Sequence, residues 1–231
     1  MNLGYACINM ELNARKGDDR VTTNRTMIKR TFQEKGVDYT SELVLQNVAD
    51  LYSIIEWNEQ NNIKFFRLSS EMFPWASEYY QDWDNFPNIE KIKSILQDCG
   101  NLATKYGHRI TSHPGPFNVL VSPNENVVQN TITDLTIHAD IFDFMGLSRT
   151  PYNKLNIHCN GVYGDKQSAM DRFCTNFERL PESVQTRLTV ENDDKASMYS
   201  VKDLYDGIYK RINIPIVFDY HHHRFCDGGL S

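Results

Sequence analysis

The chain has 231 residues, 40% of them hydrophobic and 23% charged, and a net charge of −6. This is the composition of an ordinary globular protein, and its acidic balance excludes a basic coat over the whole surface while leaving room for a local basic groove. No stretch approaches the length of a membrane-spanning helix, the start lacks a signal peptide's basic segment, and five cysteines without a CxxC pair point to a reducing compartment. The expectation is one soluble, intracellular domain over 1–231, in cytoplasm or in nucleus or nucleoid.

Along the chain, short apolar runs alternate with amphipathic stretches. Leu3–Ile8 is the first strand candidate. Arg15, Lys16, Arg20, Arg25, Lys29, Arg30 and Lys35 follow, against Asp18, Asp19 and Glu34, and read as a solvated loop and helix face. Residues 42–61 carry Leu43, Val44, Val48, Leu51, Ile54 and Ile55 at helical spacing. A second strand, Lys64–Ser69, precedes a helix over 89–106 with Ile92, Ile95, Leu96 and Leu102 on one face. Strand Arg109–Ser112 leads to a helix over 126–146, strand Leu155–His158 to one over 166–180, and strand Leu188–Glu191 to a shorter one over 200–209. Ile214–Asp219 is the sixth strand. The repeated switch between strand and helix periodicity predicts βαβ units and a parallel sheet, whose chemistry sits where strands end.

Polar residues stand at those ends. The third strand runs into His113, the fourth ends in His158, the fifth in Glu191, and the sixth in Asp219 with His222 close behind. Such groups at core-strand ends are costly to desolvate unless something satisfies them. A metal cluster does so: imidazole with carboxylate suits Zn, Mn or Fe, and a carboxylate such as Glu191 can bridge two ions, an arrangement suited to phosphoryl chemistry. Glu191, His158 and Asp219 are therefore the catalytic candidates, and His221 and His223 are read as pointing elsewhere. His108 and His138 are read as structural.

The ordered motifs resemble those of the UV damage endonucleases, a branch of the xylose-isomerase-like TIM barrels related to endonuclease IV. The likeness is carried by Leu3-Gly4-Tyr5 with Asn9, Phe66-Arg67-Leu68-Ser69-Ser70 with Phe73-Pro74, and His113-Pro114-Gly115. It continues through Gly161-Val162-Tyr163-Gly164-Asp165-Lys166, Glu191-Asn192-Asp193 and Asp219-x-x-His222. The resemblance implies an endonuclease that nicks double-stranded DNA immediately 5′ to cyclobutane dimers and 6-4 photoproducts. It implies divalent metals, often manganese and up to three, held by His113, His158, Glu191, Asp219 and His222. It places Tyr5 and Asn9 at the pocket for a flipped-out lesion, Pro116 and Phe117 where the duplex is probed, and Tyr163 and Lys166 among the DNA-binding residues. The family commonly carries glutamine and tyrosine at the probing positions, so Pro116 and Phe117 depart from its pattern. No membrane and no obligate protein partner are implied. Two other functions share these features: a metal-dependent sugar isomerase or dehydratase of the same superfamily, and a non-catalytic, truncated damage-binding relative.

The fold expected is an α/β TIM (β/α) barrel with about six parallel strands. A closed eight-stranded barrel needs two further βα units after Asp219, and only Arg224–Ser231 and His223 follow His222. An incomplete barrel is thus expected, with exposed edges at its first and sixth strands, a depleted site at Asp219 and His222, and weak nicking.

Overall fold

The computed structural model describes residues 3–230. Strand β1 (Gly4–Ala6) runs into a short turn of helix, α1 (Met10–Asn13), and the long α2 (Lys29–Gln60) follows. Next come β2 (Phe65–Leu68), α3 (Ile89–Lys105), β3 (Arg109–Ser112) and α4 (Glu125–Phe144). The remaining elements are β4 (Leu155–His158), α5 (Lys166–Phe177), α6 (Glu182–Gln185), β5 (Leu188–Glu191), α7 (Val201–Leu204), α8 (Lys210–Ile212), β6 (Ile216–Val217) and α9 (Tyr220–His223). They form two compact units, one comprising the chain up to His113 with Asp140–Ser148, the other Pro114–Ala139 with the chain from Arg149 onward.

In the first unit β1, β2 and β3 are parallel, with Tyr5 opposite Phe66 and Phe66 opposite Ile110. Strand side chains alternate between faces. Phe66, Leu68 and Ile110 are buried, as are Val44, Val48, Leu51, Ile54 and Ile55 of α2 and Ile92, Leu96 and Ala103 of α3. Each of these Val, Leu, Ile and Phe side chains contributes roughly 1.5–3 kcal/mol on leaving water. The two helices pack through the face that their heptad-like spacing predicts. α2 starts well before that pattern does, at Lys29, and is interrupted at Gly36, where φ is 68° and ψ −162°. Gly100 of α3 is required by a close approach: a Cβ there would sit 1.7 Å from the Met145 carbonyl oxygen.

In the second unit β4, β5 and β6 are parallel, with His158 opposite Glu191 and Glu191 opposite Val217. Leu155, Ile157, Leu188 and Val190 are buried with Ala169, Phe173, Leu204 and Ile208. The α7–α8 stretch is one helical run whose middle, Tyr205–Tyr209, is a π turn. It opens with a capping box between Ser200 and Asp203. Strand β6 is shorter than the sequence predicts. Proline 215 has no N–H for a ladder, although its carbonyl accepts from the Val190 amide at 3.1 Å. Asp219 has already left the strand to cap α9.

Candidate metal centre

The carboxyl ends of β4, β5 and β6 converge in the second unit. Because His158 and Glu191 are register partners, their side chains project side by side from one face. His158 Nε2 lies 3.9 Å from Glu191 Oε2, and its Nδ1 lies 3.5 Å from Asp193 Oδ1. An imidazole with a carboxylate behind one nitrogen has the orientation seen in histidine metal ligands, the far nitrogen being left for the ion. Glu191 is 7% exposed. Its Oε2 accepts from Asn156 Nδ2, and Asn156 Oδ1 in turn accepts from the Thr189 hydroxyl at 2.7 Å. Asn156 and Thr189 stand two residues before His158 and Glu191, on the same strand face, so alternation alone brings the four together.

Asp219 is placed by its role as a helix cap. Its Oδ1 accepts from the His221 and His222 amides at 2.7 and 2.9 Å. Asn192, fully buried, ties the end of β5 to Asp219 in both directions: it donates from Nδ2 to the Asp219 carbonyl (3.1 Å) and accepts from the Asp219 amide (2.8 Å). The Asn192 carbonyl lies 2.8 Å from His222 Nδ1. A carbonyl only accepts, so that nitrogen carries a proton, and in the neutral ring Nε2 is the one with the lone pair. The turn that follows Asp219 thus delivers His222 in a ligating tautomer, its ring 5.3 Å from that of His158. His221 is exposed, and His223 packs against Phe218 at 4.9 Å between ring centres.

One ligand atom from each of Glu191, Asp219 and His222 lies within 4.8 Å of the other two. Burial pushes the Asp193 carboxyl above its ordinary value, against the opposing pull of His158. At Asp219 burial also raises the pKa, but the His222 amide and charge, the His221 amide and Glu191 outweigh it, and the net shift is downward. Acidic groups crowded into a sheltered pocket with two imidazoles repel one another unless a cation compensates them. The donor set is all nitrogen and oxygen, which suits Mn, Zn or Fe over a thiolate-preferring ion. The residues present therefore fit a divalent metal.

The sequence model of the UV-endonuclease UvdE family matches residues 1–230. The chain belongs to the UV-endonuclease UvdE family. It is 41% identical over 231 residues to the UV-damage endonuclease of Schizosaccharomyces pombe, covering 99% of this chain and 37% of that protein. It is 33% identical to the UV DNA damage endonuclease of Clostridium perfringens, covering 100% of this chain and 52% of that one. The chain therefore spans about half or less of the length of these two relatives. The crystal structure of SacUVDE matches with a TM-score of 0.86 and 33% identity, covering 100% of this chain and 73% of that chain. The α/β architecture of six parallel strands, each strand end feeding a helical segment, is thus the fold of this TIM-barrel family.

His113 follows β3 in the first unit and is half-buried. Tyr5 and Asn9 are brought to one another: Asn9 Nδ2 donates to the Tyr5 hydroxyl at 2.8 Å, and that hydroxyl donates to Asn58 Oδ1 at 2.7 Å. Asn9 also caps α1 by accepting from the Leu12 amide at 3.0 Å. Burial raises the Tyr5 pKa, with the Asn9 and Asn58 contacts opposing it.

Pro116 and Phe117 form the tip of a turn in the second unit whose base is held by Asn118, which donates to the Gly115 carbonyl at 2.9 Å and to Asp134 at 2.7 Å. Phe117 is 89% exposed on that anchored base. Tyr163 has a positive φ of 50° and is half-exposed. Its ring lies across Gly161, where a Cβ would come within 2.8 Å of it, and the Arg172 guanidinium sits 5.8 Å from the ring centre. Lys166 is engaged elsewhere, with Asp203 at 3.1 Å and the Met198 carbonyl. His108 is a buried partner of Glu59 at 2.8 Å, the structural role expected of it.

Sequence reasoning missed Asn156, Asn192 and Asp193. The signal for Asn156 was available in its i−2 position relative to His158 on a strand. Asn192 and Asp193 directly follow Glu191, and their contacts with Asp219 and His158 depend on neighbours distant in sequence.

Proposed function

We propose that this chain carries the catalytic region of a metal-dependent endonuclease acting on UV-damaged double-stranded DNA. The reading includes cleavage immediately 5′ to cyclobutane dimers and 6-4 photoproducts. The observation that carries it is the cluster of Glu191, Asp219 and His222 at adjoining strand ends in a chain of the UvdE family.

Glu191, Asp219, His222 and His158 would hold divalent metal, manganese first among the candidates, and the family pattern adds His113 to the ligands. Such a metal supplies Lewis-acid polarisation of a phosphodiester and of water. The chain's own residues do the rest. Asn156 and Thr189 fix the Glu191 carboxylate, Asn192 fixes Asp219, and the Asn192 carbonyl fixes the tautomer of His222. Asp193 orients His158. Phe117, bare on an anchored turn, offers a stacking face, and base–aromatic stacking is worth about 1–3 kcal/mol per base. A photoproduct pairs and stacks poorly, so it is extruded at lower cost than an intact base. Selection then rests on deformability rather than sequence.

The test is incubation of irradiated and unirradiated supercoiled plasmid with the chain and manganese. Nicking confined to irradiated plasmid supports the reading. Equal nicking of both plasmids, or metal-dependent isomerisation of a sugar with neither plasmid cut, would refute it.

A further inference from the structure

Arg67 is the third of the four residues of β2, one short of the strand's carboxyl end in the first unit. Its Nε is buried and makes no hydrogen bond. Among the described residues, no carboxylate, carbonyl or hydroxyl is recorded as a partner of its guanidinium. Other sheltered arginines have partners: Arg25 bonds Asp50 at 2.6 Å, Arg172 the Val121 carbonyl at 2.7 Å, and Arg187 the Ser183 carbonyl at 3.2 Å. A guanidinium does not shed its proton at any ordinary pH. A half-buried positive charge with no counter-charge is unfavourable and calls for an anion from outside.

The strand geometry shows where that anion would sit. Arg67 is the register partner of Ala6 on β1 and Thr111 on β3. It alternates with Phe66 and Leu68, which face the buried core, so it lies on the opposite face. The same face of β1 carries only Gly4 and Ala6, both exposed. The Phe65 ring lies over Gly4, and Thr111 on β3 is buried, so the room beside the unpartnered guanidinium is on the β1 side, at exposed Ala6. The planar fork of arginine matches two oxygens of one tetrahedral oxyanion. Strand carboxyl ends are where this fold class places its chemistry.

We infer that Arg67 is a phosphate-binding residue that takes two oxygens of a DNA phosphodiester on the exposed β1 side of this face. The inference rests on the DNA reading above for its choice of oxyanion, a phosphodiester rather than free phosphate. Phosphate contacts position a protein on a duplex without reading sequence, as selection by deformability requires.

Two arms test it, both in chelator so that no metal takes part. In the first, thermal denaturation is followed with inorganic phosphate against chloride at matched ionic strength, for the wild type, Arg67→Gln and Arg67→Lys. Phosphate should raise the midpoint of the wild type, leave Arg67→Gln unmoved, and raise Arg67→Lys partway, because lysine keeps the charge without the fork. In the second arm, binding to irradiated duplex is measured across a salt series. One lost phosphate contact should make the log–log salt slope shallower by about 0.9 in Arg67→Gln.

Equal phosphate stabilisation of the wild type and Arg67→Gln, or none in the wild type, overturns the site. A lost phosphate response with identical DNA slopes overturns the phosphodiester assignment and leaves a free-phosphate site. Failure of the wild type to bind irradiated duplex refutes the DNA reading, while the first arm still judges Arg67. If Arg67→Gln does not fold, Arg67→Lys carries the first arm, and full wild-type phosphate stabilisation in it overturns the inference.

Discussion

Replacing Asn192 with alanine removes the clamp between β5 and Asp219 without touching any proposed ligand. Asn192 is fully buried and both bonds to the Asp219 backbone are well formed, at 3.1 and 2.8 Å. Truncation leaves the Asp219 amide without a partner, at about 1–3 kcal/mol when buried, and removes one of two bonds to its carbonyl, which keeps the His223 amide at 3.0 Å. Asp219 is only partly buried, so water recovers part of this, and a net loss of about 2 kcal/mol is the working figure. For a chain of this size each kcal/mol moves the melting midpoint by about 2–4 °C, so Asn192→Ala should melt about 4–8 °C lower. It should also bind manganese about 10- to 100-fold more weakly, the usual effect of losing a group that orients a ligand. Asn192→Asp keeps the acceptor for the Asp219 amide but loses the donor and adds negative charge, so it should lose stability without losing all metal. Differential scanning calorimetry and titration with manganese measure both quantities. Unchanged melting and unchanged metal affinity in Asn192→Ala would refute the role given to this clamp.

Glu191→Gln and His158→Ala should each abolish nicking of irradiated plasmid, with Glu191→Gln losing more metal because one charge is removed from the centre; wild-type cleavage and metal content in Glu191→Gln would exclude Glu191 as a ligand. Phe117→Ala should weaken binding to damaged duplex more than to damaged single strand, by up to about 1–3 kcal/mol, with equal losses on both substrates contradicting a wedge. Gly100→Ala should destabilise the first unit by about 1–3 kcal/mol or more, since its Cβ would collide with the Met145 backbone; an unchanged melting midpoint would show that α3 moves away at no cost.

The strands and the polar residues at their ends were legible in the sequence because both depend on local pattern. Strand alternation and apolar runs mark Arg109–Ser112, Leu155–His158 and Leu188–Glu191 at their observed limits. The start of α2 was less legible, because its first turns are polar and exposed and Gly36 breaks the periodicity. The stretch from Phe73 to Phe86 has no regular period. It folds as an aromatic cluster in which Tyr79 stacks on Phe86 at 4.2 Å and Trp83 donates to Asp140 at 2.9 Å. Such packing is a tertiary property. In the site, the charged and imidazole residues declare themselves by type. The support from Asn192 does not: it is neutral, and its value lies in backbone geometry that appears only once β5 and β6 are aligned. The partnerless guanidinium of Arg67 was equally hidden, since a lone arginine in an apolar strand says nothing of what fails to meet it.

The most direct measurement of the central claim is the manganese stoichiometry of the purified chain at equilibrium, by elemental analysis after dialysis against the metal. The account predicts at least one manganese ion per chain, removed by chelator and strongly reduced in the doubly substituted Glu191→Gln, Asp219→Asn protein. A wild-type chain that is folded and binds no divalent metal would contradict it.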